Sequence, residues 1–372
     1  MKSFTFSIKN ILLFATLAFW LTSCEDALTP EPIDPIKKVG SIYEETIGTS
    51  EDYYAKLRAY KESDHAVSFA WYSEWTGTGV NLQNSMRGLP DSIDIVSMWG
   101  GWKNPGEARL KDLRYCQEVK GVKALAVFVM LDIGDQITPE GEDKKKFWGW
   151  IDGDEEAKRL ACEKYANAIC DTIDKYNYDG FDLDWEPSYA QPFQTEKNLR
   201  GTGISYVVNA LSKRLGPKSG SGKLLVIDGE PELMPDSLAC AFDYYISQAY
   251  ACSSYANLDS RLEKIFRAFA NAKNVDGTPM TKEQIASKFI VTENFESYAL
   301  NGGVPHTTRD GRRVQSLEGM ALWNPIVNGK TVRKGGCGSF RPGFEYRIAG
   351  TPINMTYPAM RKSIQIMNPA VH

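Results

Sequence analysis

The sequence predicts an α/β fold built as a single (β/α)8 TIM barrel. Short apolar runs alternate with amphipathic segments from about residue 66 onward, which is the pattern of parallel strands linked by helices. Eight such units fit into residues 61–372, a length of roughly 310 residues that is usual for this barrel. No glycine-rich phosphate loop follows the first strand, which disfavours an open doubly wound sheet.

Eight segments are the candidate strands. Each is a short apolar run bounded by turn-forming residues. In chain order they are Ala66–Trp71, Ile93–Trp99, Ala124–Leu131, Gly180–Trp185, Lys223–Asp228, Tyr244–Tyr250, Lys288–Asn294 and a stretch near Gly335–Phe340. Apolar residues recur at helical spacing in Glu155–Tyr176 and Asp259–Ala270, so both segments should be helices that pack on the sheet.

The composition is that of a globular protein and limits the chemistry available to it. Of the 372 residues, 42% are hydrophobic and 24% charged, and the net charge of −4 gives no basic excess for binding nucleic acid. Only three histidines are present, which disfavours a His-based zinc site and a Ser-His-Asp triad. We therefore expect carboxylates and tyrosines to carry any catalysis. We also expect a monomer that has no metal, no cofactor and no nucleic-acid partner.

Residues 1–23 are predicted to be a secretory signal peptide. Lys2 and Lys9 precede the apolar run Ile11–Leu21, which is shorter than the ~20 residues that a membrane-spanning helix needs. Leu21-Thr22-Ser23-Cys24 resembles a bacterial lipobox, in which cleavage before the cysteine is followed by lipidation of its thiol. The alternative is a cleaved soluble signal followed by an incidental cysteine.

Residues 24–60 are predicted to hold the lipidated Cys24, a tether and a lead-in to the barrel domain at 61–372. The tether contains Pro30, Pro32 and Pro35 and few apolar residues, so it should be extended. Acidic residues directly after the cysteine resemble the surface-export signal of some Gram-negative outer-membrane lipoproteins. We expect a cell-surface outer-membrane lipoprotein that contacts the membrane only through its lipid. The other six cysteines lack metal-ligand spacing and are expected to be scattered buried thiols.

The fourth candidate strand carries an unusual set of acids. A period of two places Asp182, Asp184 and Glu186 on one face and apolar residues on the other, so the three acids would line the barrel interior. Burying them costs several kcal/mol unless they share protons and hydrogen bonds, and their coupling would keep one acid protonated near neutral pH. This favours a catalytic cluster over an exposed acidic loop or a metal site with three carboxylate ligands.

The same strand carries a resemblance to a known family. Asp179, Gly180, Asp182, Asp184 and Glu186 match the pattern Asp-Gly-x-Asp-x-Asp-x-Glu, which resembles the signature of glycoside hydrolase family 18. The resemblance implies that Glu186 protonates the glycosidic oxygen, while Asp184 orients the substrate's 2-acetamido group for attack on the anomeric carbon. It also implies that Asp182 shares a proton with Asp184 and that the product retains its configuration.

Gln248 and Tyr250 lie at the end of the sixth candidate strand. By themselves they could be ordinary barrel-lining residues. The resemblance implies that Tyr250 hydrogen-bonds the acetamido carbonyl. The Gln-x-Tyr arrangement is similar to that of endo-β-N-acetylglucosaminidases, whereas chitinases more often have Met-x-Tyr-Asp, and Ala251 stands here in place of that Asp.

Other strand ends supply candidate substrate-binding residues. Trp71 and Trp99 could stack on pyranose rings or pack in the core, and Glu293 and Asn294 could bind sugar hydroxyls or be ordinary loop residues. The resemblance implies that an aromatic residue of the eighth strand forms the floor of the subsite, and Phe340 is the candidate because the tryptophan usual in chitinases is not evident there.

The predicted function is that of a retaining endo-β-N-acetylglucosaminidase that cleaves the β-1,4 bond in the N,N'-diacetylchitobiose core of N-glycans. The connection from the seventh strand to a helix near Ser316 is too short for the inserted module that deepens many chitinase clefts, which favours a branched glycan. The alternatives are a chitinase or chitooligosaccharide hydrolase and, from another class, a non-catalytic surface glycan-binding lipoprotein.

Overall fold

The structure is a computed structural model that describes residues 50–189, 194, 196–352 and 355–369. Eight parallel strands close into a barrel, each paired with its neighbours in the sequence and the last paired with the first. The predicted (β/α)8 fold is therefore confirmed. The predicted signal peptide, Cys24 and the tether lie outside the described residues and remain predictions.

All eight predicted strands are present. We number them β1 to β8: Val67–Tyr72, Ile95–Met98, Lys123–Val129, Gly180–Trp185, Leu224–Gly229, Tyr244–Ser247, Phe289–Asn294 and Gly336–Phe340. The largest departure is at β6, which ends at Ser247 rather than at the predicted Tyr250. Gln248 and Tyr250 therefore belong to the segment that follows the strand.

Helices cover the outside of the barrel. In chain order, α1 to α10 are Glu51–Glu62, Glu107–Arg114, Lys144–Trp148, Glu155–Lys175, Thr202–Leu211, Tyr255–Ala268, Lys282–Ser287, Phe295–Tyr298, Ser316–Leu322 and Pro358–Met367. Both predicted helices are present, as α4 and α6. Asp154 accepts from the Ala157 amide at the start of α4, which supplies the acceptor that a first helical turn lacks.

The α1 helix belongs to the barrel rather than to the lead-in. Its Tyr54 and Leu57 are buried, and the Tyr54 hydroxyl lies 3.0 Å from that of Tyr115. Arg58 Nη1 donates to the Val119 carbonyl oxygen at 2.9 Å. The folded unit therefore begins before residue 61, the predicted boundary. The two buried residues of α1 are too few for the sequence pattern to assign this helix to a core.

Two apolar clusters stabilise the barrel, one on each side of its wall. The inner cluster fills the barrel and includes Phe69, Trp71, Val127 and Ile290. The outer cluster joins the strands to the helices. The alternation of side chains along each strand produces this division, because successive residues point to opposite faces.

Six cysteine thiols are buried and unpaired among the described residues. They are Cys116, Cys162, Cys170, Cys240, Cys252 and Cys337. Burial raises the pKa of the Cys162 and Cys170 thiols to about 12. The prediction of scattered buried thiols is confirmed.

The connection after β7 is short. Pro305–Thr307 pairs antiparallel with Arg313–Gln315 in a small hairpin, and α9 begins at Ser316. The inserted module is thus absent from this part of the chain, as predicted. Within the described ranges, no helix is long and apolar enough to cross a membrane.

Candidate active site

A cavity of about 490 Å³ opens at the carboxyl ends of the barrel strands. Its walls combine acids with aromatic rings, the combination that sugar sites use. The lining residues are Trp71, Trp99, Gly100, Trp102, Val127, Phe128, Val129, Gln136, Asp184, Glu186, Asp228, Gln248, Tyr250 and Phe340. Seven of these residues are the ones predicted from the sequence: Trp71, Trp99, Asp184, Glu186, Gln248, Tyr250 and Phe340.

The acids of β4 lie at successive depths in the barrel. Asp182 and Asp184 are fully buried, and Glu186 follows the strand and lines the cavity. The Trp71 indole N–H donates to Asp182 Oδ2 at 2.9 Å. Oδ1 of Asp182 and Oδ1 of Asp184 are buried and accept no N–H from the described residues, and side-chain hydrogen bonds join both acids to Asp228 of the neighbouring strand. The three carboxyl groups can therefore share protons.

Asp228 completes this cluster, and the sequence analysis did not propose it. It is fully buried at the end of β5, in register with Asp184 on the neighbouring strand, and its side chain is hydrogen-bonded to Asp182 and Asp184. One sequence signal could have identified Asp228. It lies two residues after Val226 on β5, so the period of two places both side chains inside the barrel. The signal is masked because Asp228 precedes a glycine, as turn residues often do.

Burial governs the protonation of the three aspartates. Desolvation raises the pKa of Asp182 to about 6 and the pKa of Asp184 and Asp228 well above the usual value, since ionisation without water is costly. The charges of Glu186 and Asp182 further raise the pKa of Asp184. The cluster therefore retains a proton near neutral pH, and neutral Asp228 can donate a hydrogen bond to the other two aspartates.

Gln248 links the cluster to Glu186. Its Nε2 donates to Glu186 Oε1 at 2.8 Å and to Asp228 Oδ1 at 2.9 Å. Because one amide group satisfies both carboxyl groups, Gln248 fixes the orientation of the Glu186 side chain relative to the buried aspartates. Its position in the site is therefore more specific than that of an ordinary barrel-lining residue.

Gly229 makes room for these acids. It follows Asp228 with φ +84°, and a Cβ at this position would lie 2.6 Å from the Trp185 carbonyl oxygen and 2.8 Å from Glu186 Cγ. Any side chain would therefore displace Glu186 as well as strain the backbone.

Aromatic rings form the opposite wall. The Phe340 ring centroid lies 6.5 Å from that of Trp71, 6.0 Å from that of Trp99 and 6.2 Å from that of Tyr250. Burial raises the pKa of Tyr250 well above its usual value, so its hydroxyl remains a hydrogen-bond donor. Trp71 is almost fully buried and its N–H is engaged by Asp182, so it serves as cavity floor rather than as a rim for stacking.

Glu293 and Asn294 differ from the prediction. Glu293 is 0% exposed, and its oxygens accept from the Ala251 and Asn294 amides and from the Ser316 hydroxyl, so none remains for a sugar. The Asn294 side chain accepts from Ser297 N at the start of α8. Glu293 is therefore an acceptor for backbone amides after β6 and at the end of β7, the Asn294 side-chain oxygen caps α8, and neither residue lines the cavity.

The first two motif residues lie at the opposite end of β4 from the cavity. Asp179 accepts from Ala124 N at 2.9 Å and from Gln117 Nε2 at 2.6 Å. A Cβ on Gly180 would lie 2.1 Å from the Leu224 carbonyl oxygen, so only glycine permits the close approach of β4 to β5. These residues fix the strand that carries the acids.

The barrel and its carboxylate-lined cavity define a glycoside hydrolase. No group of three or more acids, histidines or cysteines within the described ranges is arranged to hold a metal ion. A family model described as glycoside hydrolase family 18, BT1044-like, matches residues 35–366. The chain belongs to this family, and it is a glycosidase.

Individual relatives agree with this assignment. A solved structure of BT1044 is 30% identical, covers 88% of this chain and 95% of its own, and superposes with a TM-score of 0.70. Endo-β-N-acetylglucosaminidase F2 of Elizabethkingia meningoseptica is 26% identical over 329 residues, 85% of each chain. An endo-β-N-acetylglucosaminidase from Cordyceps militaris, solved as a mutant with fucosyl-N-acetylglucosamine-Asn, shares the fold at 20% identity, 86% and 97% coverage and a TM-score of 0.57.

Proposed function

We propose that this glycosidase is a retaining endo-β-N-acetylglucosaminidase that cleaves the β-1,4 bond of the N,N'-diacetylchitobiose core of N-glycans. The observation that carries the proposal is the convergence of Glu186, Asp184 and Tyr250 on one cavity, with Gln248 bound to Glu186. These groups supply an acid, an acceptor for an amide N–H and a donor for an amide carbonyl.

The proposed reaction has two steps. Glu186 gives its proton to the glycosidic oxygen and the bond from that oxygen to the anomeric carbon breaks, while the carbonyl oxygen of the substrate's 2-acetamido group bonds to that carbon. A water molecule then attacks the same carbon, Glu186 takes its proton, and the ring formed by the acetamido group opens. Two inversions leave the β configuration unchanged.

Asp184 and Tyr250 would hold the reacting acetamido group. The Asp184 carboxyl group lines the cavity and can accept its N–H, and the Tyr250 hydroxyl can donate to its carbonyl oxygen. The positive charge that develops on the acetamido group is stabilised by the carboxylate, whose proton can move to Asp182. The buried cluster thus adjusts the charge of Asp184 during the reaction.

Two observations favour N-glycans over chitin. The endo-β-N-acetylglucosaminidase from Elizabethkingia meningoseptica is related along 85% of this chain, and Gln248 occupies the position where chitinases more often have methionine. Trp185, at a variable position of the β4 motif, is a residue common in chitinases, so the motif by itself does not exclude chitin. Its side chain is 2% exposed and packs in the outer cluster, away from the cavity.

The proposal is tested by glycan release from an N-glycoprotein. Wild type should release glycans that end in one N-acetylglucosamine, and Glu186→Gln should slow release by about 10²–10⁴-fold because the acid is lost. Mass spectrometry identifies the products, and NMR of the first-formed anomer reports retention. Glu318→Gln, on the outer surface, is the matched control.

Three other outcomes would decide against the proposal. Release from colloidal chitin or chitooligosaccharides but not from the glycoprotein would identify a chitinase. Glycan binding without release by either protein would favour the non-catalytic binder. Release with inverted configuration would exclude the acetamido group as nucleophile.

We also propose that the enzyme is a monomer anchored through lipidated Cys24 on the outer face of the outer membrane. The support is the sequence alone: the lipobox-like Leu21–Cys24 and the acidic, proline-containing segment after it. Intact mass of membrane-extracted protein should show a diacyl or triacyl addition that Cys24→Ala removes. Protease added to whole cells should digest a surface protein and spare a periplasmic one, and light scattering reports the oligomeric state.

A further inference from the structure

The buried carboxyl group of Glu293 is tied to the segment that carries Tyr250. Glu293 Oε1 accepts from Ala251 N at 2.8 Å and from Asn294 N at 2.7 Å. We call this pair of bonds the Glu293 clamp. It joins the end of β7 to the residue directly after Tyr250.

The clamp acts where the sheet no longer supports the chain. The last β6–β7 pair is Ser247 with Val291, so Tyr250 lies three residues beyond the hydrogen-bonded strand. Ala251 adopts φ +53°, a left-handed conformation that a residue with a Cβ disfavours. An unfavourable turn persists only where its surroundings hold it, and the clamp is a direct bond to this turn.

A second set of contacts fixes Glu293 itself. The Ser316 hydroxyl donates to Glu293 Oε2 and accepts from Val304 N at 2.9 Å. Gly303 leaves the space for this hydroxyl, because a Cβ there would lie 1.9 Å from Ser316 Oγ. Both oxygens of Glu293 are therefore held, and the side chain does not line the substrate cavity.

We propose that Glu293 is a positioning residue that sets the place of the Tyr250 hydroxyl in the cavity. The inference rests on the proposed function for the role of Tyr250 in catalysis. Glu293 contacts no substrate. It acts through the Ala251 turn, and a displaced Tyr250 would hold the acetamido carbonyl poorly in the transition state.

The test is a double-mutant cycle measured as glycan release under saturating substrate. Glu293→Ala should lower kcat by about 10- to 100-fold, the cost of misplacing a reacting group by about an ångström. In a Tyr250→Phe background the same change should lower kcat by less than about threefold, since the hydroxyl it positions is already absent. The proposal would be overturned if Glu293→Ala lowered kcat by the same factor in the wild-type and Tyr250→Phe backgrounds.

Two conservative variants separate hydrogen-bond reach from charge. Glu293→Gln keeps an oxygen for the two backbone amides and can donate to Ser316, so kcat should stay within about threefold of wild type. Glu293→Asp keeps the charge but shortens the side chain, so it should resemble Glu293→Ala. A kcat near wild type for Glu293→Asp together with a large loss for Glu293→Gln would show that the charge matters, and would contradict the clamp.

Hydrogen–deuterium exchange provides a readout that does not depend on activity. Exchange of the backbone amides in 248–254 should rise in Glu293→Ala and remain near wild type in Glu293→Gln. The matched control is Glu345→Ala, another fully buried glutamate that accepts from backbone amides, those of Ala359 and Met360. Glu345→Ala should lower stability without raising exchange in 248–254. Its effect on kcat should be the same in the wild-type and Tyr250→Phe backgrounds.

The two hypotheses fail in different ways. Unchanged exchange in 248–254 on Glu293→Ala would overturn the clamp, even if the wild type releases glycans. A wild type that releases no glycan would overturn the proposed function, while the exchange comparison would still decide whether Glu293 holds this segment.

Discussion

Two regions of this molecule bury acids in opposite ways. Beneath the cavity, Asp182, Asp184 and Asp228 are buried against one another, and no N–H of the described residues donates to Asp182 Oδ1, Asp184 Oδ1 or Asp228 Oδ2. Behind β2, fully buried Asp112 accepts from Trp75 Nε1 at 2.9 Å, from Met86 N at 2.7 Å and from Arg87 N at 3.3 Å. Both regions bury aspartates, but N–H groups donate to both oxygens of Asp112 and to only some oxygens of the cavity cluster.

This difference separates reactive acids from structural ones. Burial raises the pKa of both Asp112 and Asp184, but the donors around Asp112 oppose the shift, whereas nearby acids add to it at Asp184. An acid saturated with donors is a fixed acceptor that holds loops together. An acid that faces other acids instead of N–H donors depends on shared protons, so its charge can change during a reaction, and such a cluster indicates the functional site.

Among these buried aspartates, replacing Asp184 is expected to have the largest effect on kcat. Asp184→Asn keeps the shape of the side chain but removes the negative charge that stabilises the developing positive charge on the acetamido group. We expect kcat to fall by about 10²–10³-fold, with little loss of folding stability. Stopped assays with a fluorescent N-glycopeptide measure the rate, and equal rates for both proteins would contradict the substrate-assisted route.

Replacing Asp112 should do the reverse. Asp112→Ala leaves buried N–H donors and the buried Arg87 side chain without this acceptor. We expect the free energy of unfolding to fall by about 2–3 kcal/mol, measured by urea denaturation. The kcat of the folded fraction should stay near that of wild type, and a kcat loss comparable to that of Asp184→Asn would erase the distinction between the two regions.

Replacing Asp228 is expected to lower kcat less than replacing Asp184 does. Asp228→Asn replaces a neutral acid with a neutral amide whose oxygen can still accept from Gln248 and whose nitrogen can donate to the other aspartates. We expect kcat within about tenfold of wild type, because the hydrogen-bond pattern of the protonated acid is preserved. A loss as large as that of Asp184→Asn would show that Asp228 must ionise.

The same variant should change how stability depends on pH. Burial raises the folded-state pKa of Asp228 above 3.8, so the folded protein holds a proton that the unfolded chain releases, and this contribution to stability is lost as pH rises above 3.8. Asparagine does not titrate. The stability of Asp228→Asn relative to wild type should therefore increase between pH 4 and pH 8 in urea denaturation, and a decrease would contradict a raised pKa.

Most of the barrel could be predicted from the sequence because its signal is local. Apolar runs of the right length and spacing identified all eight strands, and the period of two placed Asp182 and Asp184 inside. The end of β6 was missed because Gln248–Tyr250 continues an apolar pattern although pairing with β7 stops at Ser247. Pairing depends on the neighbouring strand, which a local pattern does not contain.

The remaining site residues depended on contacts between distant parts of the chain. Asp228 joins the cluster only because β5 lies beside β4 in a particular register. Glu293 has the type and position of a sugar-binding acid, yet its oxygens are used by Ala251 and Ser316, far apart in sequence. Residue type and strand position indicate which side chains reach the cavity edge, and the donors around them decide their role.

The six buried thiols have a practical consequence for studying this enzyme. Thiolates are the reactive form of cysteine, and burial disfavours that form at Cys116, Cys162, Cys170 and Cys337, while all six described thiols are shielded from reagents. A single cysteine introduced on the surface of the barrel domain, at the exposed Tyr189 beside the cavity for example, would be the preferred site for a maleimide dye. The barrel domain thus provides a background for fluorescence measurements of glycan binding without prior removal of its six described cysteines.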